Sequence, residues 1–269
     1  MTERASHESL LAIPTGPLVV PAAPSPALRV SVVVPTFDEA ANIEALLDEL
    51  APLLDAAWPG AHEILVVDDD SPDGTWRVAL EVARRLPVVR VLRRSGERGL
   101  STAVVRGWQA ARGEVLAVID GDRQHPPAVV VALAAAVLAG ADLAVASRNV
   151  PGGGVSDWSV SRRALSRGAQ LLGLMLLPRV VGAVTDPMSG YFAVRRSALE
   201  GVVLSPLGYK ILLEVLARGR IGAIREIPYV FREREDGASK VTYRQYVDYL
   251  LHLGRLRAEG LGSQGTRRG

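Results

Sequence analysis

From Leu28 onward the chain alternates short β-branched runs with longer stretches whose apolar residues recur at helical spacing. Arg29 to Pro35 reads as a strand, Glu39 to Leu54 as a helix carrying Leu46, Leu47, Leu50, Leu53 and Leu54, and Glu63 to Val67 as a second strand. The rhythm continues with a helix over 75–86, a strand over 88–92, a helix over 101–111, a strand over 115–119, a helix over 127–138 and a strand over 142–146. Repeated βα units join by right-handed crossovers, so the expected fold class is α/β, a single domain whose mixed, mostly parallel sheet is flanked by helices.

Pro151-Gly152-Gly153-Gly154 interrupts this rhythm and reads either as a plain linker or as an opening for a second ligand. Beyond it come a basic amphipathic stretch from Ser161 to Leu177, a strand around 191–194, a helix over 207–217, a strand over 223–231 and a last helix from Tyr243 to Ala258. Residues 1–28, broken by Pro14, Pro17, Pro21, Pro24 and Pro26, read as a flexible leader, because a secretory signal needs a basic start and an unbroken apolar centre. The expected division is the leader 1–28, a main domain 29–240, an amphipathic helix 241–258 and a disordered tail 259–269.

With 269 residues, 48% of them hydrophobic, the chain can bury a large core. Lys and Arg number 31 against 29 Asp and Glu, a net charge of +2 that argues against nucleic acid as a partner. The absence of cysteine excludes disulfides, zinc thiolate sites and a thiol nucleophile. The four histidines are scattered without zinc-ligand spacing, and of these only His125 lies near candidate chemistry. The apolar runs 128–141 and 169–184 are too short, or interrupted by Arg179, to span a bilayer.

The chemistry concentrates where the strand over 115–119 stops at Asp120-Gly121-Asp122-Arg123-Gln124-His125-Pro126-Pro127. Two acids at a strand's carboxyl end are hard oxygen ligands, placed to hold a divalent cation against a substrate's phosphates. An isolated pair of this kind more often only solvates a strand end. A second acidic end, Asp68-Asp69-Asp70-Ser71, shifts that balance, because parallel strands deliver their carboxyl ends to one crevice. Arg148, just past the strand over 142–146, falls at the same edge.

Taken in order, Val34-Pro35-Thr36-Phe37-Asp38-Glu39, the run 68–75, Gly99-Leu100-Ser101-Thr102-Ala103, Asp120 to Pro127, Ser147-Arg148, Ser189-Gly190-Tyr191, Gly208-Tyr209-Lys210 and Gly237-Ala238-Ser239-Lys240 resemble the GT-A-fold glycosyltransferase family 2. Within it they are most similar to the polyprenol (dolichol) phosphate mannose synthases, over about residues 29 to 250. The resemblance implies a GT-A (Rossmann-like) fold and inverting transfer of mannose from GDP-mannose to a polyprenyl monophosphate. By position it implies that Pro35, Phe37, Glu39, Val67 and Asp69 contact the guanine nucleotide, and that Asp120, Gly121 and Asp122 hold the diphosphate and sugar. It implies Mg2+ or Mn2+ on Asp120, Asp122 and Gln124, and the lipid phosphate at Arg148, Arg162 and Ser166. Arg234 and Lys240 match a basic loop that closes over the donor, so Asp122, Arg148, Arg234 and Lys240 are the implied catalytic residues. The chain departs from the family pattern at Phe37 for tyrosine, Gly121 for alanine, Arg123 for an apolar residue and Pro187 where threonine is common, and none of these removes a ligand.

A monoalkyl phosphate, with its second pKa of about 6, is already largely a dianion at neutral pH and needs little help from a general base. The work left is positioning and electrostatic stabilisation, which suits a chain without an evident catalytic His or Cys. Two other readings remain open here: the same fold moving another hexose from a UDP-glucose type donor, and an accessory nucleotide-binding protein without turnover. The segment Ala164 to Leu177 reads as a core helix or as a helix lying on a membrane surface, and a polyisoprenyl acceptor favours the surface. The expected location is cytoplasmic, peripheral on the membrane face, where a separate integral-membrane subunit would supply an anchor. The intact chain is expected to rise with liposomes in a flotation gradient; recovery wholly in the soluble fraction would count against this.

Overall fold

Every residue of Val30–Thr36 is buried, as a strand covered on both faces must be. The computed structural model describes residues 9–22, 27–156, 168, 170–232 and 243–265. Its strands are β1 (Leu10–Leu11), β2 (Val30–Thr36), β3 (His62–Asp68), β4 (Val89–Arg93), β5 (Val115–Val118), β6 (Leu143–Ser147), β7 (Gly154–Val155), β8 (Phe192–Arg195), β9 (Ile224–Pro228) and β10 (Val230–Phe231). The helices are α1 (Ala40–Ala57), α2 (Thr75–Arg85), α3 (Leu100–Ala110), α4 (Ala128–Leu138), α5 (Pro178–Val181), α6 (Arg196–Leu199), α7 (Ile211–Arg218) and α8 (Tyr243–Gly265).

Eight strands form one sheet in the order β1-β4-β3-β2-β5-β8-β6-β9, and β7 pairs with β10 in a separate ribbon. All pairings in the large sheet are parallel except those of β8 with β5 and β6. This is the expected fold class, with β8 as the reversed strand. Side chains alternate along β2: Val32 and Val34 join a core with Ile43, Leu46, Leu47, Leu50 and Leu54 of α1, with α2 and with α4. Val33 faces the other way, into a core with Trp108 of α3 and Ile211, Leu212 and Val215 of α7. A smaller cluster seats α8 through Tyr249, Leu253 and Leu256 against Val181 and Leu213.

The reversed direction of β8 is what shapes the functional edge. Phe192 lies opposite both Val118 of β5 and Val145 of β6, so the residues that precede β8 sit beside those that follow β5 and β6. The turn leading into β8 is thereby carried to the carboxyl ends of its neighbours. On the far side, Pro228 of β9 pairs with Ser147, which places Tyr229 next to Arg148.

Four expectations differ from the structure. Residues 9–22 of the leader lie on the domain: Leu10–Leu11 pairs with β4, Val20 is fully buried, and Arg106, Gln109 and Arg196 donate hydrogen bonds to the carbonyls of Gly16, Pro17 and Pro21. The helix expected from 207 starts at Ile211, because Gly208 adopts a φ of 68° that ends any helical path. The strand expected over 223–231 divides at Tyr229, with β9 on the large sheet and β10 on the ribbon. The last helix continues to Gly265, through residues expected to belong to the disordered tail.

Helix α3 approaches the sheet so closely that a Cβ on Gly107 would lie 2.6 and 2.9 Å from the two methyls of Val33. Alanine there would gain about 1 kcal/mol in helix propensity. It would lose about 1–3 kcal/mol or more by overpacking against a central strand. Gly107→Ala is therefore expected to lower stability by up to about 2 kcal/mol, read as a lower urea midpoint at unchanged slope.

Candidate active site

The carboxyl ends of β2, β3 and β5 meet at the point where the strand order reverses, the ligand crevice of open α/β sheets. The loops after β2 and β3 are cross-braced there. Thr36 Oγ1 and Ser71 Oγ both donate to Asp68 Oδ2, at 2.8 and 2.6 Å, and Ser71 Oγ in turn accepts from the Asp38 backbone N–H at 3.0 Å. Thr75 Oγ1 accepts from the Glu39 N–H at 2.9 Å and Asp73 from that of Ala40, so α1 and α2 begin from a common frame.

Of the expected nucleotide contacts, Pro35 and Val67 are buried within the sheet. Glu39 is nearly buried at the start of α1 and accepts from Asn42 Nδ2 at 2.8 Å. Phe37 lies at the rim with the Arg98 guanidinium 3.7 Å above its ring centroid. Asp69 serves the framework: its oxygens accept from Arg94 Nε at 2.6 Å and from the Gly99 N–H at 2.7 Å, and Arg94 is itself wholly buried. Gly121 explains its departure from alanine, since a Cβ there would stand 3.0 Å from the Thr36 methyl.

Asp120 and Asp122 follow β5 as the sequence indicates. Asp122 Oδ1 accepts from the Gln124 backbone N–H at 3.2 Å. Gln124 is tied to Arg232 twice, through Nε2 to the Arg232 carbonyl at 3.1 Å and through its own carbonyl to the Arg232 N–H at 2.9 Å. The expected basic loop with Arg234, Gly237 and Lys240 lies outside the described residues, as do Arg162 and Ser166. Among the described residues no three His, Cys, Asp or Glu side chains gather as a metal cage. The donor set nonetheless fits Mg2+ or Mn2+, which bind through one or two carboxylates and complete their shell with water and substrate phosphate.

Beneath Asp120, His125 is packed among Tyr191, Tyr229 and Phe231, with ring centroids 4.9, 5.6 and 5.2 Å away. Burial, and then the charges of Arg148 and Lys210, lower its pKa to about 3, so the imidazole is a neutral plate rather than a proton carrier.

The cations enter from β6 and α7. Arg148 clamps the buried Asp186 with Nε and a terminal nitrogen, both at 2.7 Å, and its backbone N–H adds a third bond at 3.1 Å. Burial alone would raise the Asp186 carboxyl, but the bonds and charge of Arg148 hold it below the usual carboxylate range. Lys210 donates from Nζ to the Met188 carbonyl at 2.7 Å and lies 4.3 Å from the Tyr209 ring centroid. Burial and the nearby Arg148 charge lower its pKa to about 8. Asp186 and Lys210 were not singled out from sequence. The only signal for Lys210 was its place in the Gly208-Tyr209-Lys210 motif, and Asp186 stood unmarked before Pro187.

The amphipathic stretch is described over 170–176, where it is partly core and partly surface. Gly173 is buried against Tyr249 and Val181, whereas Leu171 and Met175 are 62% and 72% exposed.

A doubly wound sheet with paired acids and clamped cations at its switch point defines an α/β protein built to hold an anionic ligand. The family described as Glycosyl transferase family 2 matches residues 31–203, and the chain belongs to that family. A dolichol-phosphate mannosyltransferase of Pyrococcus furiosus is 44% identical over 230 residues, covering 85% of this chain and 64% of that protein's length. One from Saccharomyces cerevisiae is 33% identical over 238 residues, covering 85% of this chain and 87% of that protein. The crystal structure of glucosyl-3-phosphoglycerate synthase from Mycobacterium tuberculosis, in complex with Mn2+, UDP-glucose and phosphoglyceric acid, shares the fold with a TM-score of 0.67 at 23% identity, over 93% of this chain and 87% of that one.

Lys210 gives the crevice a titration of its own. Binding an anion favours its charged form, so affinity for a phosphate-bearing ligand is expected to hold below its pKa of about 8 and to fall as pH rises through it. Isothermal calorimetry of inorganic pyrophosphate between pH 7 and 9 checks this. Lys210→Met should bind more weakly at pH 7 and show a flat profile.

Proposed function

We propose that the chain transfers mannose from GDP-mannose to a polyprenyl monophosphate, with inversion, giving polyprenyl-phosphate mannose and GDP. The observation that carries this reading is one crevice in which Asp120 and Asp122 lie at the end of β5 while Arg148 and Lys210, held by Asp186 and the Met188 carbonyl, supply fixed positive charge. The names of the Pyrococcus and yeast relatives support the lipid class and the sugar.

In the reaction an oxygen of the lipid phosphate attacks the anomeric carbon, the bond from that carbon to the GDP β-phosphate oxygen breaks, and the electron pair leaves with GDP. No side chain need take a proton, because the attacking oxygen is already anionic. Arg148 and Lys210 orient the acceptor and offset the repulsion between it and the donor diphosphate. Asp120, Asp122 and Gln124 would hold Mg2+ or Mn2+, and the cation, when bound, neutralises the leaving diphosphate. Phe37, Glu39 and Asp69 border the guanine nucleotide, while Arg162, Ser166, Arg234 and Lys240 are assigned to acceptor and donor by position in the sequence.

The acceptor's tail calls for a lipid surface, and the protein acts peripherally on the cytoplasmic face of a membrane. Leu171 and Met175 on 170–176, and Leu250 and Leu251 of α8, 46% and 59% exposed, are apolar side chains open to that contact. Among the described residues no helix is long and apolar enough to cross a bilayer.

Purified protein incubated with labelled GDP-mannose, Mg2+ or Mn2+ and a short polyprenyl phosphate is expected to label the organic extract. Asp122→Ala should cut that transfer about a hundredfold or more. Label entering lipid from UDP-glucose but not from GDP-mannose, or full turnover in the variant, would overturn the assignment.

A further inference from the structure

The turn 186–189 that precedes β8 fixes both cations of the crevice. The Asp186 carboxylate takes three donors from Arg148, and two residues later the Met188 carbonyl takes Lys210 Nζ. The turn is closed by the Ser189 N–H on the Asp186 carbonyl at 3.2 Å, and Arg148 and Asp186 have side chains only 12% and 2% exposed. A buried ion pair of this kind is poor value as a stabilising device, since well-packed apolar residues of the same volume do as well or better. Its distinctive product is orientation: two parallel N–H···O bonds fix the plane of a guanidinium, which a single contact cannot do.

We propose that Asp186 is the positioning residue for phosphate capture, holding the Arg148 guanidinium in the plane from which it meets the acceptor's phosphate. This rests on the reading of Arg148 as an acceptor-phosphate residue. Asp186 acts through Arg148 and touches no substrate. It also lets two cations share the crevice, because its negative charge faces both Arg148 and Lys210. Around the pair stand Asp120 after β5, the neutral His125, Tyr229 after β9, and Lys210 before α7.

The test is binding of farnesyl monophosphate and of GDP-mannose at pH 7 by calorimetry, which needs no turnover. Asp186→Asn is expected to weaken farnesyl monophosphate about tenfold while GDP-mannose changes less than about threefold. In an Arg148→Ala background, Asp186→Asn should add less than about twofold, because the effect passes through Arg148. Equal weakening of both ligands, or losses that multiply in the double variant, would mean a general structural role and overturn the proposal. Should Asp186→Asn fail to fold, Arg148→Lys carries the test: it keeps the charge but not the two-point clamp, so native affinity in that variant would overturn it as well. Wild-type protein that binds farnesyl monophosphate but transfers no mannose sinks the functional reading and leaves this one intact. Wild-type transfer with undiminished binding by Asp186→Asn does the reverse.

Discussion

Charge alternation at close range is the constraint on which the rest depends. A pair of unit charges about 4 Å apart interacts by about 4 kcal/mol at an effective dielectric near 20, so a crevice meant to gather phosphates cannot simply be filled with cations. Here the acids and bases are interleaved: Asp120 and Asp122 after β5, Arg148 after β6, Asp186 before β8 and Lys210 before α7. Four separate segments supply them, and the sheet holds those segments in register. The buried Arg148–Asp186 pair is the fixed point, because three hydrogen bonds leave it little freedom while Lys210 retains a softer, titratable charge.

The sheet achieves this with one reversed strand. In a wholly parallel sheet only strand ends would reach the crevice, and each end is followed by a loop that must climb back to a helix. Strand β8 brings in a strand beginning instead, so the turn 186–189 and Tyr191 arrive from below. Tyr191 then reaches the Pro126 carbonyl at 2.8 Å and closes the aromatic floor around His125. The loops that do climb back carry strain. Asp38, Asp70 and Arg123 have φ of 52°, 54° and 60°, and they follow β2, β3 and β5 respectively. Aspartate tolerates this left-handed region better than most residues, and the loop that carries Arg123 is held at its next residue by the bond from Gln124 Nε2 to the Arg232 carbonyl.

Much of the frame was legible because buried parallel strands are unbroken apolar runs. Val32 to Val34 and Ile64 to Val67 admit few other readings, and the acids that follow them mark the crevice. What escaped was decided by contacts distant in sequence. Asp186 lies in a stretch without periodicity, and its role exists only through Arg148, 38 residues earlier. Ala223 to Phe231 reads as one strand, but Tyr229 is drawn into the aromatic floor and splits it. The prolines of the leader suggested looseness, although Leu10, Leu11 and Val20 were enough to dock it. Asp69, a nucleotide contact by the family resemblance, also braces the loop after β4 through Arg94 and Gly99, which the sequence does not show.

The two-residue strand β1 closes one side of the sheet. Without it, β4 would be the sheet's outermost member on that side and would offer its backbone donors and acceptors to any passing chain. Leu10 and Leu11 occupy those groups opposite Val91 and Leu92. Being so short, the new border has almost nothing left to recruit a further strand. A few residues ahead of β2 thus leave the sheet only a very short border on that side, three strands away from the crevice between β2 and β5.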